Sequence, residues 1–504
     1  MNKAVIFTHV PITEAEAAAS NNPIGEKKII DKVLPYFKAY IKCKNVGLVY
    51  VYVDVGTRMI LKKLSYLNYN KNVIKFPLMQ LESEVRTRNC LKIAVDRAVN
   101  SNHNMLDGTP RFVIIGLPHL LSLFNSLINI NPKLIQHLAG SRGDLTYDSP
   151  KFVEAVIRLV RGQHADLNRN PIFRFDLDVK VNEKGINELL KSAFKAMRDV
   201  QQLVHFFSGK YQTYKKRRDD VNDFAVRTHW LVDPKTMRLS PLGYQFMRDL
   251  GEIGATQLPT TDDHPVSSFM SAYMKKNHLV SANRDSLQVI SGAGLFMTYA
   301  AIQQLPPFMD FDKATMWVDD HLKRRLHEAT GRLDAASIEQ NRNACFKQNR
   351  HPLPKGITNQ DIEWAKNDYL FRLFRGCLVH SLIMKTDGTP GLMADAIRTI
   401  ITNGLNTVHQ LNLLTHGNLQ KDLRSELKKT AIKVKTIWGS ASYGSSLLSG
   451  WASALTLVKI NKICSETLQD VMAYVELVCK WRSYVRAIEL LEPRNAHWLF
   501  KKVK

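Results

Sequence analysis

Two apolar runs that read as buried strands constrain this chain most. "AVIFTHV" (4–10) and "VGLVYVYVDV" (46–55) are short, rich in β-branched and aromatic residues, and almost free of charge. Such runs mark strands buried on both faces. Between them "GEKKIIDKVLPYFKAYIKC" (25–43) has helical spacing, with an interruption expected near Pro35. Alternation of strand and helix of this kind implies an α/β layer with strands packed side by side. "NVIKFPL" (72–78) reads as a third strand and "RNCLKIAVDRAVN" (88–100) as a helix, so an α/β layer is expected at the N-terminus.

The next strand pattern carries charge. In "NPIFRFDLDVKVNEKG" (170–185) a period of two places Phe173, Phe175, Leu177, Val179 and Val181 on one face and Arg174, Asp176, Asp178 and Lys180 on the other. Asp176 and Asp178 then point the same way, about 7 Å apart at Cα. Two such carboxylates can share Mg²⁺ or Mn²⁺ with the phosphates it carries, because these ions favour oxygen ligands. A solvated face whose charges cancel is the plainer alternative, and the strand by itself leaves both open.

At 504 residues the chain exceeds one ordinary hydrophobic core. "NRNACFKQNRHPLPKGITNQ" (341–360) reads as a linker, which puts a boundary near 345: 1–345 forms the α/β domain and 346–504 a helical C-terminal domain without a legible role. A net charge of +24 attracts anionic donors, anionic membrane or nucleic acid, without choosing among them. The six cysteines include no CxxC, which argues against a zinc site or a disulfide framework and suits a reducing cytoplasm. The uncharged runs 112–132 and 436–458 contain too many polar residues for a span, although contact with a membrane surface is compatible with them. No Walker A, GxSxG, HExxH or GxGxxG pattern occurs.

Several separated segments together resemble the GT-A glycosyltransferases of the family 2 type. "FTHVPITEAE" resembles their first strand and turn, with Pro11 in the turn. "VYVDVGT" (51–57) resembles the second strand, with Asp54 at its first acidic position and Val55 in place of the second. "RTRNCLKIAVDRA" (86–98) resembles the helix start that carries Arg88 and Asn89. "FRFDLDV" stands where the family has Asp-x-Asp, and "SGAG" (291–294) followed by "VDDHLKRRL" resembles its Gly-rich strand and acidic helix start.

The resemblance covers roughly residues 4–335 and implies an α/β, GT-A (Rossmann-like nucleotide-diphospho-sugar transferase) domain. It also implies a metal-dependent, inverting transferase that builds polysaccharide. On that reading Pro11, Asp54, Arg88, Asn89, Asp176, Gly292 and Gly294 hold the nucleotide sugar, Asp176 and Asp178 the Mn²⁺ or Mg²⁺, and Asp320, with Asp319 beside it, serves as base. The long interval from Arg88 to Asp176 implies an insertion at about 105–170. The implied partners are a nucleotide-diphosphate sugar donor and a glycan or lipid-linked acceptor, at the inner face of the membrane. Nucleic acid is disfavoured, because the basic residues are dispersed; a cluster such as "KYQTYKKRRDD" (210–220) reads as a solvated helix end. A nucleotidyltransferase on the same type of fold, and a non-enzymatic basic nucleic-acid-binding protein, are the rival classes.

Overall fold

A computed structural model describes residues 3–55, 78–101, 109–130, 149–163, 170–177, 179–180, 204–209, 295–297, 299–306, 334–338, 347–348, 359–385, 389–404, 417–439, 447–492 and 496–504, with isolated positions at 183–194, 326 and 329. The protein is mixed α/β, with more helix than strand. Its first half runs β1 (Ala4–Ile12), α1 (Glu14–Ala19), α2 (Pro23–Lys42), β2 (Val46–Val55), α3 (Leu78–Asn100), β3 (Arg111–Ile115), α4 (Leu117–Ile130), α5 (Ser149–Gln163) and β4 (Ile172–Asp176). The four strands pair in the order β3-β2-β1-β4, all parallel.

The chain continues through β5 (Val179–Lys180), β6 (Val204–Gly209), β7 (Leu295–Met297), α6 (Tyr299–Gln304), β8 (Asp334–Ile338) and β9 (Lys347–Gln348). β7 lies antiparallel on β4 and extends the same sheet through β6 to β8, while β5 and β9 pair separately. The alternation expected through "FRFDLDV" is therefore corrected: the strand ends at Asp176, Leu177 is in a turn, and Val179–Lys180 joins a second sheet.

Both faces of the parallel segment are buried, which explains its unbroken apolar runs. Ala4, Ile6, Val49, Val51, Val53, Phe173 and Phe175 face α2 and α3, while Val5, Phe7, Leu48, Tyr50, Tyr52 and Ile172 face α4 and α5. Thr13 caps α1 in a capping box with Glu16, and Asn22 caps α2 ahead of Pro23, so each crossover starts at a fixed point. Helix α2 passes through Pro35 without the expected interruption. Pro35 and Asp31, whose carbonyl loses its helical donor, are both exposed, so water can satisfy that carbonyl while Tyr36, Phe37 and Tyr40 stay packed. The stretch 105–170, expected as an insertion, supplies β3, α4 and α5 of the principal layer. Of the expected third strand at 72–78 only Leu78 is described, and it opens α3.

The C-terminal part contains α7 (Asn359–Ile383), α8 (Leu392–Asn403), α9 (Asn418–Gly439), α10 (Leu447–Ala454) and α11 (Leu457–Glu489). Helix α11 is about 50 Å long and belongs to two cores. Its first half, with Ile460, Cys464, Leu468 and Val475, packs among the other helices. Its second half, with Leu477, Trp481, Tyr484 and Ile488, covers the sheet beside α4 and α5. The terminal residues then run along β2: Tyr50 donates to the Leu499 carbonyl at 2.8 Å, and Lys504 N–H donates to Gly47 O at 3.3 Å. None of the described helices is long and apolar enough to cross a membrane.

Candidate functional site

The strand order reverses between β1 and β4: β2 and β3 lie to one side of β1, and the chain returns to the other side at β4. In open parallel sheets ligands bind outside the carboxyl ends of the strands at such a switch point, where diverging loops leave a crevice. The residues there are set by register. His9 pairs with Tyr52 on β2 and with Asp176 on β4, and Pro11 pairs with Asp54. Pro11, Asp54 and Asp176 are thereby brought to one edge of the sheet from positions far apart in sequence.

His9 continues the Val5–Phe7 set and Asp54 the Leu48–Tyr50–Tyr52 set, so both sit at the top of the face covered by α4 and α5. His9 Nε2 lies 3.5 Å from Asp54 Oδ2, with the two side chains 20% and 25% exposed. The Tyr52 ring backs the imidazole at 6.0 Å. Partial exposure keeps this pair open to a ligand, while the packed tyrosine fixes where it stands.

The loops around the pair are fastened at several points. Lys32 Nζ donates to the Pro11 carbonyl at 2.7 Å and to Glu16 at 3.1 Å. Burial pushes the Glu16 carboxyl up, but its bonds from Thr13 and the Lys32 charge outweigh that effect and hold it below the usual carboxylate range. Thr8 Oγ1 donates to the Phe175 carbonyl at 2.8 Å, and the Tyr36 hydroxyl donates to the Leu177 carbonyl, one residue before Asp178. The turn out of β4 is thus held by α2.

Below Asp176 the strand rests on a buried charge network. Arg158 on α5 donates to Glu154 at 2.7 Å and to the Ile172 carbonyl at 2.9 Å, and Arg174 reaches Glu154 at 3.5 Å. Removing Glu154 would take this carboxylate from a fully buried guanidinium, which is costly. Arg174 is spent on Glu154, so the reading of this face as wet, with charges that cancel along the strand, fails at Arg174. Neither His9 nor the Glu154–Arg158 pair stood out in the sequence. A polar residue near the end of a buried strand, and an i,i+4 acid–base pair in an apolar helix, were the available signals.

Arg88 has other partners. It pairs with buried Glu84 at 2.7 Å, and Glu84 also accepts from Leu117 N–H at 2.9 Å. Burial pushes the Glu84 carboxyl up, against the pull of Arg88. Arg88 lines a cavity of about 310 Å³ with Lys92, Phe112, Ile114 and His119, beside the edge strand β3. Asn89 is exposed on α3. Gly116 permits this packing, because a Cβ there would come within 1.8 Å of Glu84 Oε1.

Asp178, Gly292, Gly294, Asp319 and Asp320 lie outside the described residues. Among the described residues no group of three or more His, Cys, Asp or Glu could hold a metal ion. The carboxylate residues at the switch point, Asp54 and Asp176, are of the oxygen-donor type that Mn²⁺ or Mg²⁺ accepts. No protein-family model, curated protein or solved structure matches the chain. What fold and site together define is a class: a mixed α/β protein with a parallel four-stranded segment and a polar switch-point edge.

Proposed function

We propose that this protein is a metal-dependent, inverting glycosyltransferase of the GT-A type, which moves a sugar from a nucleotide-diphosphate donor to a glycan or lipid-linked acceptor in polysaccharide synthesis. The observation that carries the reading is the meeting of Pro11, Asp54 and Asp176 at the carboxyl edge where the strand order reverses. The same three positions carry the resemblance to donor-binding positions of the GT-A family.

Asp54 accepts hydrogen bonds from the nucleotide, with His9 orienting its carboxylate. Asp176 and Asp178 would hold Mn²⁺ or Mg²⁺, which offsets charge on the departing diphosphate when bound. Asp320 would take the proton of the acceptor hydroxyl with Asp319 beside it in sequence, and Gly292 and Gly294 would hold the nucleotide sugar. Such a protein works at the inner, cytoplasmic face of a membrane, and a charge of +24 suits anionic donor and anionic surface alike.

Incubation with a panel of nucleotide sugars, Mn²⁺ and glycan acceptors tests this directly. Release of nucleoside diphosphate is expected. Release of pyrophosphate would point to nucleotidyl transfer on the same type of fold, and no turnover of any nucleotide would overturn the reading.

A further inference from the structure

Between Glu426 and Glu466 the sequence contains no acidic residue but six lysines: Lys428, Lys429, Lys433, Lys435, Lys459 and Lys462. The end of α9 meets α10 and the link to α11 through Lys435 and Trp438, which brings Lys433 and Lys435 toward the start of α11 with Lys459 and Lys462, while Lys428 and Lys429 lie further back along α9. Lys435 Nζ donates to the Leu455 carbonyl and Lys459 Nζ to the Ala454 carbonyl at 3.2 Å, which fastens the α10–α11 link. Lys428, Lys429, Lys433 and Lys462 are exposed, and among the described residues no carboxylate pairs with them.

At the tip of this basic end stand two aliphatic side chains in water. Leu457 and Val458, the first two residues of α11 after the Thr456 cap, are 67% and 79% exposed. Ile432 on α9 is half exposed as well. In the adjoining core Trp438 and Trp451 pack on each other and on Phe374. Exposed aliphatic side chains with lysines on the same helix and on its neighbour have the composition of a surface that seats in the headgroup layer of an anionic bilayer.

We propose that the α9–α10–α11 corner is a membrane-docking surface, in which Leu457 and Val458 enter the interface of an anionic bilayer and the surrounding lysines meet its headgroups. A lipid surface is favoured over RNA. Nucleic acid is held by aromatic platforms as well as charge, and Trp438 and Trp451 are committed to the core, while the exposed residues of the tip are aliphatic. Each lysine near an anionic surface is worth about a fivefold gain in binding, and the aliphatic pair supplies the second signal that stable attachment needs. The inference is independent of the switch-point site.

The test is flotation of the full chain with phosphatidylcholine vesicles, with and without phosphatidylglycerol. Binding to the anionic vesicles alone, weakened by salt, is expected. Leu457→Asp with Val458→Asp should reduce it about tenfold or more, and Lys459→Glu with Lys462→Glu should do the same. Aspartate is favourable in a first helical turn, so the first pair should fold, and unchanged circular dichroism and melting temperature check this. Leu457→Ser with Val458→Ser is a charge-neutral companion with the same expected direction. Three outcomes would overturn the proposal: equal binding to neutral vesicles, full binding by the aliphatic variants, or binding to RNA alone that those variants retain.

Discussion

His119 shows how one side chain ties edge strand, helix and tail together. Its Nδ1 accepts from Gly116 N–H at 3.1 Å, and its ring meets Trp498 edge-on at 5.8 Å. Burial, helped by the charge of Arg88, pushes its pKa down to about 4 from 6.5. Because the folded value is the lower one, the unfolded chain binds the extra proton as pH falls through 6.5 towards 4. The contribution of His119 to stability is therefore complete above that window and is lost across it. Between pH 7 and pH 5, His119→Gln, whose amide can accept the same N–H, should remove about 1 kcal/mol of the acid-induced loss once solvent screening is allowed for. Urea unfolding of both proteins at the two pH values measures this. Parallel loss in both would mean that the imidazole is not what the acid attacks.

At the scale of elements, α11 carries more of the fold than its place at the end of the chain suggests. Trp481 is fully buried against the sheet and donates from Nε1 to the Ile302 carbonyl at 2.7 Å. Trp481→Ala should cost about 3–5 kcal/mol, as truncation of a buried aromatic does, and a small shift in the urea midpoint would show that the two cores are less coupled than their shared helix implies. The strands β1 and β2 were legible because both their faces are buried, which leaves a signal in every residue. The end of β4 was not legible, since Asp176 and Val179 fit the same alternation although they belong to different sheets. Pro35 misled because the propensity rule carries no information about exposure, and α2 places that residue toward water. Of the candidate site, Pro11, Asp54 and Asp176 could be picked out as motif positions, but His9 could not, because its role comes from strand register. Arg88 matched a motif by type and spacing, yet its partner Glu84 lies one helical turn earlier on the same face, a pairing that spacing alone does not distinguish from a free cation.

For the whole molecule, the segment 341–360 expected as a linker marks a change in composition and holds β9 and the start of α7, while the second half of α11 and the tail return to the sheet. A fragment ending at residue 345 loses Leu477, Trp481, Tyr484, Ile488, Trp498 and Leu499 from the face over Phe7 and Tyr50. It should aggregate where the full chain is soluble, and a soluble fragment with cooperative unfolding would contradict this. The central claim is that the switch-point edge holds a nucleotide diphosphate with its cation. Asp54 is partly exposed, so Asp54→Asn should leave the fold intact. The decisive measurement is calorimetric titration of nucleoside diphosphate, with and without Mn²⁺, into the wild type, Asp54→Asn and Asp178→Asn. Mn²⁺-dependent binding is expected, which Asp54→Asn weakens about tenfold or more, as loss of a hydrogen bond to a charged acceptor does, and which Asp178→Asn uncouples from Mn²⁺. Equal binding by all three proteins, or no binding by the wild type, would contradict it.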